Sequence, residues 1–140
     1  MKFAFFPGCS LGSTAWDFDK STRAICKALD INLMDIPDWV CCGSTPAHAT
    51  NPALAAALPA LNIIKAKEAG FDSILTACAS CYSRLRNTEY KLKNYKEEKE
   101  RIEKIIEKSI DNTIPIYHIV DVLVNHIGIE KIEQRIQEHL

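Results

Sequence analysis

The sequence has no excess of positive charge: 17 Lys and Arg residues stand against 18 Asp and Glu. A nucleic-acid-binding domain or a module docking on anionic lipid would need a basic surplus or a basic run, so both classes fall away. No apolar stretch approaches the roughly 18–20 residues that a membrane span requires. The segment Met1–Phe6 carries one lysine and a short apolar run that stops at Pro7-Gly8, too short for a secretory signal. There is no internal repeat, no low-complexity linker and no evident acid–base dyad. The expected location is the cytoplasm, with any membrane association made through partner proteins.

What the chain does have is a core and cysteine. Its 140 residues, 47% of them apolar, suit one globular domain that needs no covalent staples. Six cysteines in a chain of this kind point to metal binding or redox chemistry, because disulfides are rare in a reducing compartment.

The pattern along the chain alternates. Lys2–Phe6 reads as a buried strand closed by Pro7-Gly8. Thr14, with Asp17 three positions on, reads as the capped start of a helix that runs to about Leu29, with Ile25 and Leu29 on its apolar face. Ile31–Ile36 reads as a second strand, stopped by Pro37. After the loop Asp38–Pro46, Asn51 and Pro52 form a favoured helix start, and an Ala/Leu-rich helix follows to Gly70 with Pro59 inside it. Ser73–Ala77 is a third strand. One long helix is expected from Ser80 through the charged stretch to Lys108, its outer face carrying pairs such as Glu97/Arg101 and Glu100/Lys104. Ile114–Ile119 is a fourth strand, followed by a helix over Val120–Asn125 and a charged helical tail, Glu130–Leu140. This order predicts an α/β fold: an open, mostly parallel sheet of about four strands with helices packed on it, Rossmann-like, with right-handed crossovers.

That topology gives the cysteines their meaning. Cys9 follows the first strand, Cys41 and Cys42 the second, and Cys78 the third, while Cys81 lies in the first turn of the next helix. Parallel strands all point one way, so these five thiols are expected at one carboxyl edge, where open α/β sheets bind ligands. Cys78-x-x-Cys81 alone is a weak signal, shared by redox, zinc and cluster sites. Five thiolates exceed what a tetrahedral zinc or an ordinary 4Fe–4S cube requires. The helix start at Cys81 is expected to favour its thiolate, and Gly8, Gly12 and Gly43 leave room for close backbone approach. Cys26 falls mid-helix and reads as a core thiol. His118 and His48 read as structural or solvated, with a supporting role behind the site as the alternative for His48. Trp16 and Trp39 read as packing residues, Trp39 also as a shield for the site.

Pro7-Gly8-Cys9-Ser10-Leu11, Asp38-Trp39-Val40-Cys41-Cys42-Gly43 and Cys78-x-x-Cys81-Tyr82 together resemble the CCG (cysteine-rich) domain, over roughly residues 1–128. Members of that family include the B-subunit of heterodisulfide reductase and the cysteine-rich subunits of certain succinate:quinone and fumarate reductases. The resemblance implies that Cys9, Cys41, Cys42, Cys78 and Cys81 ligate a non-cubane 4Fe–4S iron–sulfur cluster. Zinc is a possible substitute in recombinant protein. The B-subunit proteins carry two such domains in tandem. Residues 1–128 are therefore expected to be one CCG domain, with 129–140 a helical tail or linker towards a second, and the chain is not expected to be active alone. The function implied is that of an oxidoreductase like the heterodisulfide reductase B-subunit, delivering electrons to a disulfide and working with iron–sulfur and flavoprotein subunits. The alternatives are an electron-transfer subunit of a succinate:quinone or fumarate reductase, and a structural zinc domain.

Overall fold

The structure, a computed structural model, describes residues 1–44 and 47–136, with the backbone alone at residues 47 and 48. The end of the Cys-Cys loop (Thr45, Pro46), the His48 side chain and the end of the tail (137–140) lie outside the described residues. The chain forms β1 (Lys2–Phe6), a single turn α1 (Gly8–Leu11), α2 (Trp16–Ala28), β2 (Asn32–Asp35), α3 (Ala47–Thr50), α4 (Pro52–Glu68), β3 (Ile74–Thr76), α5 (Ala79–Asn94), α6 (Lys96–Ile106), β4 (Ile116–His118), α7 (Ile119–Asp121), a π-helical turn (Val122–Ile127) and α8 (Ile129–Glu133).

The four strands make one sheet in the order β2-β1-β3-β4. Every pairing is parallel, with Phe3 opposite Leu33, Phe5 opposite Leu75 and Leu75 opposite Tyr117. β1 is central, and its alternation sends side chains to two separate cores. Ala4 and Phe6 join α4, α5 and α6 on one face through Ile63, Ile64, Leu85 and Ile102. Phe3 and Phe5 join Cys26, Leu29 and Val122 on the other. A strand covered on both faces is apolar throughout, which is why Phe3-Ala4-Phe5-Phe6 is uninterrupted.

The helix boundaries follow local chemistry. The Asn51 side chain accepts from the N–H groups of Ala53 (3.0 Å) and Leu54 (3.3 Å), and Pro52 opens α4. α4 continues through the buried Pro59 to Glu68. At its end Gly70 takes φ +81°. Its N–H donates to Lys67 O and that of Phe71 to Ala66 O, a left-handed stop that satisfies the last carbonyls.

Several expectations are corrected. Thr14 does not cap α2: Ala15 occupies the cap position with no side-chain bond, because the turn α1 carries the chain on and the Ala15 N–H is already donated to Ser10 O at 2.8 Å. The buried face of α2 is Thr22, Cys26 and Leu29, while Ile25 is exposed. Trp16 is exposed as well, with the Lys20 ammonium 4.2 Å above its ring. The long helix is two helices. Tyr95 is extended (φ −125°, ψ 101°), and α6 folds back so that Ile102 is fully buried and Ile106 packs on the α4–α5 core. A single straight rod would have left Ile102 in water. On the outer face of α6 the partners also differ from those expected: Glu100 pairs with Lys96 and Arg101 with Glu98. Of the tail, Ile132 packs on the second core and Arg135 donates to Ala28 O and Asp30, each at 2.8 Å.

The break at Tyr95 gives a direct test. Ile102→Ala should destabilise the protein by about 2–5 kcal/mol, as expected for a buried Ile truncated to Ala. Ile105→Ala, at a 39% exposed position on another face of α6, should cost under about 1 kcal/mol. Urea unfolding of the two variants measures the difference, and equal small losses would mean that α6 does not fold back.

Candidate metal centre at the sheet's carboxyl edge

β1 is followed by the connection to β2 on one side, and the chain then crosses to β3 on the other. The crevice between the carboxyl ends of β1 and β3 is therefore the point where the winding reverses, the place where sheets of this kind bind ligands. Cys9 follows the end of β1 in the turn α1, and Cys78 occupies the cap position of α5 just after β3.

Four of the five expected thiols form a linked run there. Cys42 lies within interaction range of both Cys41 and Cys81, and Cys81 also of Cys78. Cys42 and Cys81 are buried, Cys41 and Cys78 partly so. Cys9 is the outlier, exposed in the first turn of α1. The residue before it, Gly8, faces the Cys81 Sγ: a Cβ there would come within 2.8 Å of that sulfur. With φ +74° Gly8 is glycine for two reasons, conformation and space. Among the described residues no group of three or more His, Cys, Asp or Glu is placed to hold a metal ion. Cys26 stands apart in the second core, where burial pushes its thiol up to about 11.

The Cys-Cys-Gly turn supplies backbone donors to its own sulfurs. Gly43, at φ +80°, directs its N–H at Cys41 Sγ (3.4 Å). The Ser44 and Cys42 N–H groups serve the Cys42 sulfur. Successive N–H groups turned to one side by a left-handed residue form an anion-binding nest. Donation from the Cys81 thiol first, and these N–H groups after it, lower the Cys42 thiol to about 6 against the opposing effect of burial. Cys81 moves the other way: it donates to Cys42, and burial adds to that, so its thiol is held well above the ordinary range. Cys81, where the start of α5 is expected to favour a thiolate, thus titrates together with Cys42 as one pair. Two adjacent buried sulfurs do not both ionise, and Cys42 has the better set of donors.

Three residues around the site escaped the sequence reading. Asn62, fully buried on α4, accepts from Val40 N–H at 2.8 Å and donates to Val40 O at 2.8 Å and Leu58 O at 3.2 Å. Lys65, three residues on, donates to Asp38 O. Thr76, also fully buried, accepts from the Cys78 N–H at 3.4 Å. The one visible signal was a lone Asn in the apolar run Leu61-Asn62-Ile63-Ile64. His118 proves structural: Nδ1 accepts from Val120 N–H (3.3 Å), so Nε2–H donates to Ala77 O (3.1 Å) and ties β4 to the residue before Cys78. Trp39 packs edge-on against Phe6, ring centroids 5.5 Å apart, on the core that also holds Cys42 and Cys81.

The cysteine-rich domain (CCG) family model matches residues 3–86. The chain belongs to the CCG family. Among the relatives it is similar to, the 8-methylmenaquinol:fumarate reductase membrane anchor subunit of Wolinella succinogenes is 38% identical over 80 residues, 57% of this chain and 28% of that protein. A heterodisulfide reductase B-subunit-like protein of Archaeoglobus profundus is 30% identical across 98% of this chain and 47% of its own length. The B-subunit of a ferredoxin/F420H2-dependent CoB-CoM heterodisulfide reductase from Methanosarcina acetivorans is 27% identical across 94% of this chain and 45% of its own length. This CCG domain thus spans less than half the length of these relatives. Among its described residues no helix is long and apolar enough to cross a membrane.

The Cys42–Cys81 pair sets a pH dependence for the reduced, metal-free protein. Between about 6 and the ordinary thiol range near 8.5, the folded pair holds one proton where the unfolded chain holds two, so stability rises with pH. Above that range the unfolded chain releases both while Cys81 keeps its proton, so stability falls again. Ultraviolet thiolate absorbance should show a midpoint near 6 that belongs to the pair and moves up in both Cys42→Ser and Cys81→Ser, and thermal unfolding across pH should show the maximum flatten in both variants.

Proposed function

We propose that this CCG domain is the cluster-binding half of a protein like the heterodisulfide reductase B-subunit, and that Cys9, Cys41, Cys42, Cys78 and Cys81 hold a non-cubane 4Fe–4S cluster. The observation that carries the reading is the linked run of thiols at the β1–β3 crevice, with a Cβ-free approach at Gly8. Sulfur donors select soft metals, and five thiolates exceed the four ligands that one tetrahedral zinc ion takes. The group, when bound, passes single electrons to a disulfide substrate. The chain's own part is to place and tune it. Backbone N–H groups of Gly43 and Ser44 stabilise negative charge on the sulfurs, which favours the reduced state. Trp39 and Phe6 keep water from the buried side. Thr76 and His118 hold the Cys78 turn from either side of the strand end.

Relatives of more than twice this length support a second CCG domain as the natural partner, its site facing this one across the substrate. Iron–sulfur and flavoprotein subunits would deliver the electrons, and membrane association would come through them. A second reading, an electron-transfer subunit of a quinol-linked fumarate or succinate reductase, is favoured by the similarity to the Wolinella anchor protein. The two separate by turnover: thiol–disulfide exchange driven by a reduced donor for the first, quinol oxidation for the second, each assayed with the partner domain present. The single chain should reduce disulfides no faster than a cluster-free control.

Anaerobic reconstitution tests the ligand set. Iron and sulfide per chain should stay near the wild-type value in Cys26→Ser and fall, with an altered EPR spectrum, in Cys41→Ser, Cys42→Ser and Cys81→Ser, since a serine oxygen is the poorer ligand for iron. Iron uptake that depends on Cys26 and ignores Cys42 would overturn the assignment. One zinc per chain, bound tightly in place of iron after anaerobic purification, would support the structural zinc domain.

A further inference from the structure

The Cys41-Cys42-Gly43 turn belongs to no helix or strand, yet the spacing of its sulfurs and N–H groups depends on its backbone. What holds it is one face of α4. Asn62 presents its side-chain amide to Val40, the residue before Cys41, and pairs with both its N–H and its carbonyl, as a neighbouring strand would. The amide nitrogen also donates to Leu58 O within α4, so the side chain cannot rotate without breaking three bonds. Lys65 fixes the start of the turn at Asp38 O, where the backbone is left-handed at φ +48°. Asn62 is fully buried while Val40 is partly exposed, so the clamp is anchored from the core outwards. An unpaired buried amide is strongly disfavoured, and in an apolar helix a leucine would pack with no such requirement.

We propose, resting on the cluster-binding reading above, that Asn62 is a positioning residue for the metal centre: acting through Val40, it holds Cys41 and Cys42 in the turn that presents both sulfurs and aims the Gly43 and Ser44 N–H groups at them. Asn62 touches none of the sulfurs itself. Its effect is on the geometry and the hydrogen bonding of two of the five cysteines, and so on the electronic signature of the bound centre as well as on the amount bound.

Two measurements on the full chain test this. In the metal-free wild type, the Val40 amide should resist hydrogen exchange as well as helix amides do, although it lies in a loop; free exchange at Val40 would refute the clamp without reference to iron. In Asn62→Leu the exchange of Val40 and Gly43 should speed by about tenfold or more, with the amides of α5 unchanged. After reconstitution this variant should show less iron and sulfide per chain, and its residual centre a shifted EPR spectrum and midpoint potential. Ile102→Ala, which weakens the same core away from the turn, should keep the wild-type spectrum and potential. If Asn62→Leu does not fold, Asn62→Ala serves, since it removes all three bonds without adding bulk or charge to the core. A wild-type spectrum, potential and loading in a folded Asn62 variant would overturn the proposal. Failure of the wild type to take up iron would remove the cluster reading while leaving the exchange result standing as a test of the clamp.

Discussion

Because β1 pairs in parallel with β2 on one side and β3 on the other, the loops that follow all three strands leave from the same edge, and the chain must reverse its winding between β1 and β3. Everything at the site follows from that pairing. It sets Gly8 against the Cys81 sulfur, brings the turn after β2 back over α4, and leaves the start of α5 at the space between. The two cores hold the same strand: with Phe6 on one side and Phe5 on the other, β1 is covered on both faces.

Burying several thiols together is unfavourable for any that ionise, and the fold answers with backbone donors. The N–H groups of the Cys-Cys-Gly turn gather on Cys42 and Cys41, and the Cys81 thiol adds its own proton. Such donors are fixed by backbone conformation and need no reorganisation as charge changes, a useful property where electrons come and go. The rigidity has to be imported, because a turn of this kind has no ladder of its own. Asn62 and Lys65 on α4, Thr76 at the end of β3 and His118 at the end of β4 each commit side-chain hydrogen bonds to loop backbone next to a cysteine or leading to one.

Much of this was legible in the sequence. The strand–helix alternation, the Asn51-Pro52 start and the Gly70 stop of α4 are local signals with local causes, and they reappear with their boundaries shifted by a residue or two. The grouping of cysteines after the first three strands needed one further step, that parallel strands share a carboxyl edge. Other expectations failed where tertiary contact outweighs local preference. Tyr95 carries no helix-breaking signal; the chain opens there because burying Ile102 and Ile106 against α4 and α5 stabilises more than continuing the rod. Trp16 is large and apolar, yet it is exposed, since α2 turns the Thr22, Cys26 and Leu29 face inwards.

The sequence by itself determined the α/β class, the family and the separation of Cys26 from the other cysteines, since periodicity, turn residues and spacing are properties of the chain order. Only the tertiary structure decided which thiols meet and what holds the turn that carries two of them. That Cys42 and Cys81 titrate as a pair depends on their meeting across the fold. That Asn62 serves Val40 depends on a contact between a helix and a loop 22 residues apart. Hydrogen bonds depend on distance and direction, and for residues so far apart in the chain these are set only once the sheet has formed and α4 has packed against it.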